Sequence, residues 1–140
     1  MTNKHQGGCL CGAVRFTAIG PLRDVIFCHC AQCRKQTGLY YAATAVDKAN
    51  LEITGEPHLT WYSASDFAQR GFCSTCGSAL FWKPATKPHI AILAGSFDDP
   101  SVLSAAYHIC TENRPAFYDL ADGLPQHLRS APGVTIDGAR

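Results

Sequence analysis

The stretch RGFCSTCGSALF, residues 70–81, decides how this chain folds. It sets a CxxC pair, Cys73 and Cys76, between two strand-like runs, with Gly71 and Gly77 close by. A matching pair stands far upstream in GGCLCGAVRF, residues 7–16, where Cys9 and Cys11 precede a strand-like run and Gly7, Gly8 and Gly12 surround them. Structural zinc takes four ligands in a tetrahedron, with Zn–S bonds of about 2.3 Å, and two short Cys pairs from distant segments supply such a set. Gly71 and Gly77 are expected to let the backbone turn so that amide N–H groups point at the sulfurs and spread their charge. The reading is a closed, structural zinc on Cys9, Cys11, Cys73 and Cys76 that ties the N-terminus to the middle of the chain.

A third cluster differs in kind. CHCAQCRKQTG, residues 28–38, holds Cys28, Cys30 and Cys33. Three protein thiolates leave one position of a zinc ion for water or substrate, which is how catalytic sites differ from structural ones. The other reading is a second structural site, its fourth ligand drawn from His29, His108 or Cys110. In an extended segment His29 faces away from Cys28 and Cys30. Cys110, isolated in an apolar run, reads as a core residue, and His108 as a satisfied polar histidine. Arg34 and Lys35 could meet a substrate carboxylate, or they could form a solvated helix face.

Disulfides are the rival account of so many cysteines. The start, MTNKHQGGCLCG, has no apolar h-region, so the expectation is a chain kept in a reducing cytoplasm. Clustering in CxC and CxxC pairs also disfavours bridges between distant segments. Of 140 residues, 46% are apolar and 16% charged, the composition of an ordinary soluble protein, expected as one domain over residues 1–140. The formal charge is +1, and thiolates holding two Zn²⁺ would turn it negative, which disfavours nucleic-acid binding. No apolar run approaches the ~20 residues that span a bilayer.

The interior reads as strands. Val14, Phe16 and Ala18 alternate with Arg15 and Thr17, Leu51 and Ile53 with Glu52 and Thr54, Leu59 and Trp61 with Thr60 and Tyr62. Short apolar runs follow at Ala79–Trp82, Ile90–Ala94 and Ala105–Cys110, separated by Gly and Pro breakers. One short helix is predicted from about Ala31 to Thr37, closed by Gly38. Residues 1–6 and about 131–140 are expected to be frayed ends. The fold class is therefore all-β and antiparallel, organised around zinc, with one short helix after the triplet.

GGCLCGAVRF, CHCAQCRKQTG, RGFCSTCGSALF and the later YHI and DLADGLPQ segments together resemble the glutathione-dependent formaldehyde-activating enzyme family, which also includes centromere protein V. The resemblance covers about residues 7–128. It implies an Mss4-like antiparallel fold, a structural zinc on Cys9, Cys11, Cys73 and Cys76, and a catalytic zinc on Cys28, Cys30 and Cys33. It further implies carbon–sulfur lyase chemistry that joins formaldehyde to glutathione as S-hydroxymethylglutathione.

The open triplet suits that chemistry. A thiol that coordinates zinc loses its proton, and its sulfur can meet the carbonyl carbon of a small aldehyde. Alternatively the metal polarises the aldehyde oxygen. No paired carboxylates and no Ser-His-Asp pattern offers a competing device. A rival of another class is a binding or scaffold module whose two zincs are both structural. Chromatin binding, suggested by the centromere relative alone, lacks a basic cluster here.

Overall fold

The computed structural model describes residues 3–132 and 134. Ten strands form among them: β1 (Lys4–Gly8), β2 (Arg15–Ile19), β3 (Val25–Cys28), β4 (Tyr41–Asp47), β5 (Leu51–Thr54), β6 (Leu59–Tyr62), β7 (Ala68–Cys73), β8 (Ala79–Pro84), β9 (His89–Leu93) and β10 (Ala105–Ile109). The single α-helix, α1 (Ala31–Thr37), has the predicted bounds. Gly38 ends it in the left-handed conformation, φ 89°, and returns its N–H to the Arg34 carbonyl.

Two sheets result. A three-stranded sheet runs β1-β2-β5, and a seven-stranded sheet runs β10-β3-β4-β9-β8-β7-β6. All neighbours are antiparallel except β10 and β3, which pair in parallel with Ile109 opposite Cys28. This departs from the purely antiparallel expectation. β10 follows β3 only after the rest of the sheet has been laid down, so no hairpin fixes its direction.

The central strands of the seven-stranded sheet are buried on both faces. Val46, Phe81, Ile90 and Ile92 point to one side, where they meet Phe16 and Phe97. Tyr41, Ala43, Trp82 and Ala91 point to the other, where they meet Ile26, Ile109 and the triplet cysteines. A strand covered on both sides carries no polar alternation. That is why β8 and β9 read in the sequence as unbroken apolar runs. On the first face Phe16 packs edge-on against Phe81 and Phe97, with ring centroids 5.7 and 5.2 Å apart. Each such fully buried side chain stabilises the fold by about 1.5–3 kcal/mol.

The ends are less frayed than the sequence suggests. Lys4, His5 and Gln6 pair with Ile19, Ala18 and Thr17 in β1 and β2. A backbone hydrogen-bond ladder, rather than side-chain burial, holds this polar segment. Ala131 is buried, and Val134 packs against the second core; residues 1–2, 133 and 135–140 of the expected frayed ends lie outside the described residues.

Gly71 serves a different purpose from the predicted turn. It lies inside β7, and a Cβ there would come within 2.8–3.0 Å of the Trp61 ring. The missing side chain makes room for the indole. Gly55, between β5 and β6, is more demanding: its φ is +80°, and a Cβ would meet the Ala13 carbonyl oxygen at 1.8 Å. That contact seats the β5–β6 connection against the turn that carries Cys9 and Cys11. Gly55→Ala combines a left-handed backbone with overlap on an unyielding carbonyl. It is expected to lose about 3–5 kcal/mol of unfolding free energy in a urea titration.

Candidate metal centres and active site

Cys9, Cys11, Cys73 and Cys76 converge, with their sulfurs all within 4.8 Å of one another. Two turns of the same design bring them together. Each starts with a cysteine whose N–H reaches the carbonyl five residues on: Cys9 to Val14 and Cys73 to Ser78, both at 3.0 Å. Each contains a left-handed glycine, Gly12 or Gly77, that returns its N–H to the first cysteine's carbonyl. Val14 N–H points at the Cys9 sulfur at 3.3 Å. Leu10 N–H crosses to the Ser78 hydroxyl at 3.0 Å and ties one turn to the other. The Ser78 hydroxyl and backbone hold the Cys76 thiol down to about 5, which favours a thiolate.

Sulfurs 2.3 Å from a central ion lie about 3.8 Å apart along a tetrahedral edge. The Cys9–Cys11 and Cys11–Cys73 separations are 3.6 and 3.8 Å. All eight cysteines are free thiols, so the donor set and its spacing fit a metal ion.

The triplet lies on the opposite face of the seven-stranded sheet. Cys28 ends β3, Cys30 caps α1 and Cys33 sits in its first turn, and their sulfurs also lie within 4.8 Å of one another. The Cys30 sulfur accepts the Cys33 N–H at 3.4 Å, the usual task of an N-cap side chain. The Cys28 and Cys33 sulfurs hold the Cys30 thiol down to about 2. Cys28 is pushed up, first by Cys110 and then by Cys30 and Cys33.

Cys110 is a buried residue of the second core, as its isolation in an apolar run suggested, and it also borders the triplet. Parallel pairing of β10 with β3 sets it beside Cys28, and it joins Cys28, Cys30 and Cys33 in lining one cavity. Cys110 has the single non-glycine positive φ among the described residues, 57°. Its N–H is bound to the Arg129 carbonyl at 2.6 Å.

The two histidines fall where the sequence placed them. His29 faces away from the triplet, and both it and His108 are fully buried. The Asp122 carboxylate accepts His108 Nε2–H at 2.7 Å. His108 Nδ1 is then free to accept His29 Nε2–H at 2.8 Å, and His29 Nδ1 accepts the Tyr118 hydroxyl at 2.6 Å. Burial, and next the facing His108, pushes His29 down to about 4. With every ring nitrogen engaged, neither histidine offers a metal ligand. Their chain instead braces the turn from Cys28 to Cys30 from behind, and it uses the YHI and DLADGLPQ segments to do so.

Arg34 is half-buried and Lys35 exposed on α1, and neither lines the sulfur-walled cavity. Two arginines do, Arg23 and Arg70; Arg70, of β7, is only 3% exposed. Its Nη1 donates to Gln36 Oε1 at 2.9 Å and its Nη2 to Gln32 Oε1 at 3.2 Å. The same two nitrogens lie 3.7 and 3.6 Å from the Cys33 sulfur. A buried guanidinium needs an anion beside it, and the triplet sulfurs supply one. Nothing in the local sequence separates this arginine from a surface one. The signal is its place in β7, two residues from buried Ala68 and on the same face.

A mostly-β scaffold that brings four sulfurs together on one side of a sheet and three beside a buried cation on the other defines a class of cysteine-rich proteins with two sulfur clusters that could each hold a metal ion. Within it, residues 4–113 match the model of the glutathione-dependent formaldehyde-activating enzyme family, and the chain belongs to that family. A Halomonas elongata protein named "Putative glutathione-dependent formaldehyde-activating enzyme" is 30% identical over 129 residues, covering 82% of this chain and 80% of that one. An "Uncharacterized lyase" of Schizosaccharomyces pombe is 27% identical over 120 residues, covering 85% and 87%. A crystal structure of a Rhodobacter sphaeroides protein has the same fold, with a TM-score of 0.56 at 26% identity over 66% of this chain and 87% of that one. No helix among the described residues is long and apolar enough to cross a membrane.

Proposed function

We propose that this protein is a zinc-dependent carbon–sulfur lyase of the S-hydroxymethylglutathione synthase type, acting in the cytoplasm on a small thiol and a small aldehyde. Cys9, Cys11, Cys73 and Cys76 would hold a structural zinc, and Cys28, Cys30 and Cys33 a second zinc at the reacting centre. The observation that carries this reading is the triplet's setting. Three sulfurs open on a cavity of about 60 Å³ beside a buried guanidinium, whereas the four-sulfur cluster is closed.

Zinc at the triplet would supply acidification of a thiol, making it a nucleophile at neutral pH. The protein's own residues do the rest. The Asp122–His108–His29 chain fixes the Cys28–Cys30 turn, and Arg70 offsets the charge that gathers on Cys33. Arg34 and Lys35, on the outer side of α1, would meet the carboxylates of a peptide thiol such as glutathione. The thiol sulfur then adds to the aldehyde carbon with both reactants held together rather than meeting from solution.

Formaldehyde and glutathione combine to some extent unaided, so the test is exchange at equilibrium. NMR exchange between free and adduct glutathione is expected to be accelerated at least tenfold by the wild-type protein relative to Cys30→Ser. Equal rates in the two would defeat the glutathione assignment.

Cys110 favours a second reading. Its sulfur lies beside Cys28 but outside the group of three sulfurs within 4.8 Å of one another; drawn in as a fourth ligand, it would make the chain a zinc-stabilised binding module without catalysis. Cobalt substitution discriminates: a change in the thiolate-to-cobalt absorption on adding glutathione marks a position open to substrate, and an inert spectrum marks a closed one.

A further inference from the structure

Two polar atoms on the triplet side of the sheet are buried without a partner among the described residues: the Tyr41 hydroxyl and Arg70 Nε. Both residues line the cavity walled by Cys28, Cys30 and Cys33. Neither can turn elsewhere. Tyr41 sits in β4 directly opposite Cys28. The other two nitrogens of Arg70 are committed to Gln32, Gln36 and Cys33, so its fork is locked. Its guanidinium carbon lies over the Tyr41 ring, 5.6 Å from the ring centre. A buried donor left unmatched costs free energy, and two of them in one pocket call for a ligand with an acceptor atom. Trp82, Ala91 and Ile109 line the same cavity, with Arg23 and His89 also in its wall, and its volume of about 60 Å³ limits the ligand to a small molecule with an oxygen acceptor.

We propose that Tyr41 and Arg70 are the donor pair that binds the oxygen of a small aldehyde, presenting its carbonyl carbon to the triplet side of the cavity. This rests on the thiol–aldehyde reading above and adds to it the aldehyde's own site. The sulfur lone pair of the thiol forms the new C–S bond. The carbonyl π pair moves onto oxygen, and the proton that the thiol gave up returns to that oxygen through solvent. Tyr41 and Arg70 keep their protons; their hydrogen bonds strengthen as negative charge develops, which is where donors of this kind lower a barrier. The cavity also limits the substrate. At about 60 Å³ it has several times the room one water needs, which admits one- and two-carbon aldehydes and excludes aromatic ones.

Tyr41→Phe removes a single oxygen and tests the proposal three ways. Adduct exchange should fall about 10- to 100-fold through kcat, with the KM for glutathione unchanged. The melting temperature and metal content should be unchanged or higher, because the lost hydroxyl had no partner to give up. Formamide, an unreactive carbonyl of three heavy atoms, should shift the Trp82 indole resonance saturably in the wild type and not in Tyr41→Phe. Full exchange activity in Tyr41→Phe, or a formamide shift that is absent or equal in both proteins, overturns the donor pair. A wild type that accelerates no exchange yet shows a Tyr41-dependent formamide shift defeats the lyase reading and supports the carbonyl site.

Discussion

Cys73→Ser is expected to leave a protein that fails to fold or precipitates, and that retains less than about half of the wild-type metal. Cys73 is fully buried at the end of β7, and its sulfur stands 3.8 Å from that of Cys11, across 62 residues of chain. The two knuckles join the β1–β2 connection to the β7–β8 connection. Hydrogen bonds from Leu10 N–H to the Ser78 hydroxyl and from the Cys11 backbone to the Cys76 sulfur also tie them together. A structural zinc contributes on the order of 10 kcal/mol of apparent binding energy, comparable to the 5–15 kcal/mol that stabilises a whole domain. Serine is a far poorer zinc ligand and would leave three thiolates crowded at the base of the sheet. Far-ultraviolet circular dichroism and metal analysis of the soluble fraction check this. An unchanged melting temperature with unchanged metal content would remove the structural role from this cluster.

The knuckles were legible because metal ligation imposes short, rigid spacings, and because Gly12 and Gly77 occupy backbone positions that other residues resist. The helix was legible to the residue, since Gly38 is a stop signal and the run before it is short. β4 was harder to see: it is covered on both faces, so Tyr41–Asp47 shows no alternation, and small alanines stand where bulky residues would have marked a core. β1 was missed because its stability comes from a backbone ladder with β2, to which its polar side chains add nothing recognisable.

The site divides along the same line. The seven clustered cysteines announce themselves, but the residues that tune them come from elsewhere in the chain. Cys110 reaches Cys28 through the parallel pairing of β10 with β3, a long-range register that no local pattern encodes. Arg70 and Tyr41 lie on neighbouring regions of one sheet face, and their chemistry appears only when β7, β8, β9 and β4 are aligned. His29 and His108 could be foreseen as satisfied histidines, since extended geometry turns His29 away from the thiols. That they would satisfy each other, with Asp122 and Tyr118 at the two ends, depended on tertiary contact.

Cys30→Ser should behave very differently from Cys73→Ser, and the contrast separates the two proposed zincs. Cys30 does two things. Its sulfur belongs to the triplet, and it also caps α1 by accepting the Cys33 N–H. Serine is a good N-cap, so the cap survives the substitution while the thiolate does not. The triplet spans only residues 28–33, all within one β-strand, one turn and the start of one helix. A metal there restrains a short loop whose ends β3 and α1 already hold, and closing a short loop that is already folded adds little stability. The surrounding second core, with Trp82, Tyr41 and Ile109, remains packed. The melting curve should therefore shift by no more than the equivalent of about 1–2 kcal/mol, while bound metal falls from two ions per chain to about one and accelerated adduct exchange disappears. Cobalt-loaded protein should lose one of two thiolate-to-metal spectra and keep the other. If Cys30→Ser instead unfolds the chain as completely as Cys73→Ser, both metals serve the fold. The triplet with Cys110 would then be a closed site, and the protein a binding module rather than a lyase.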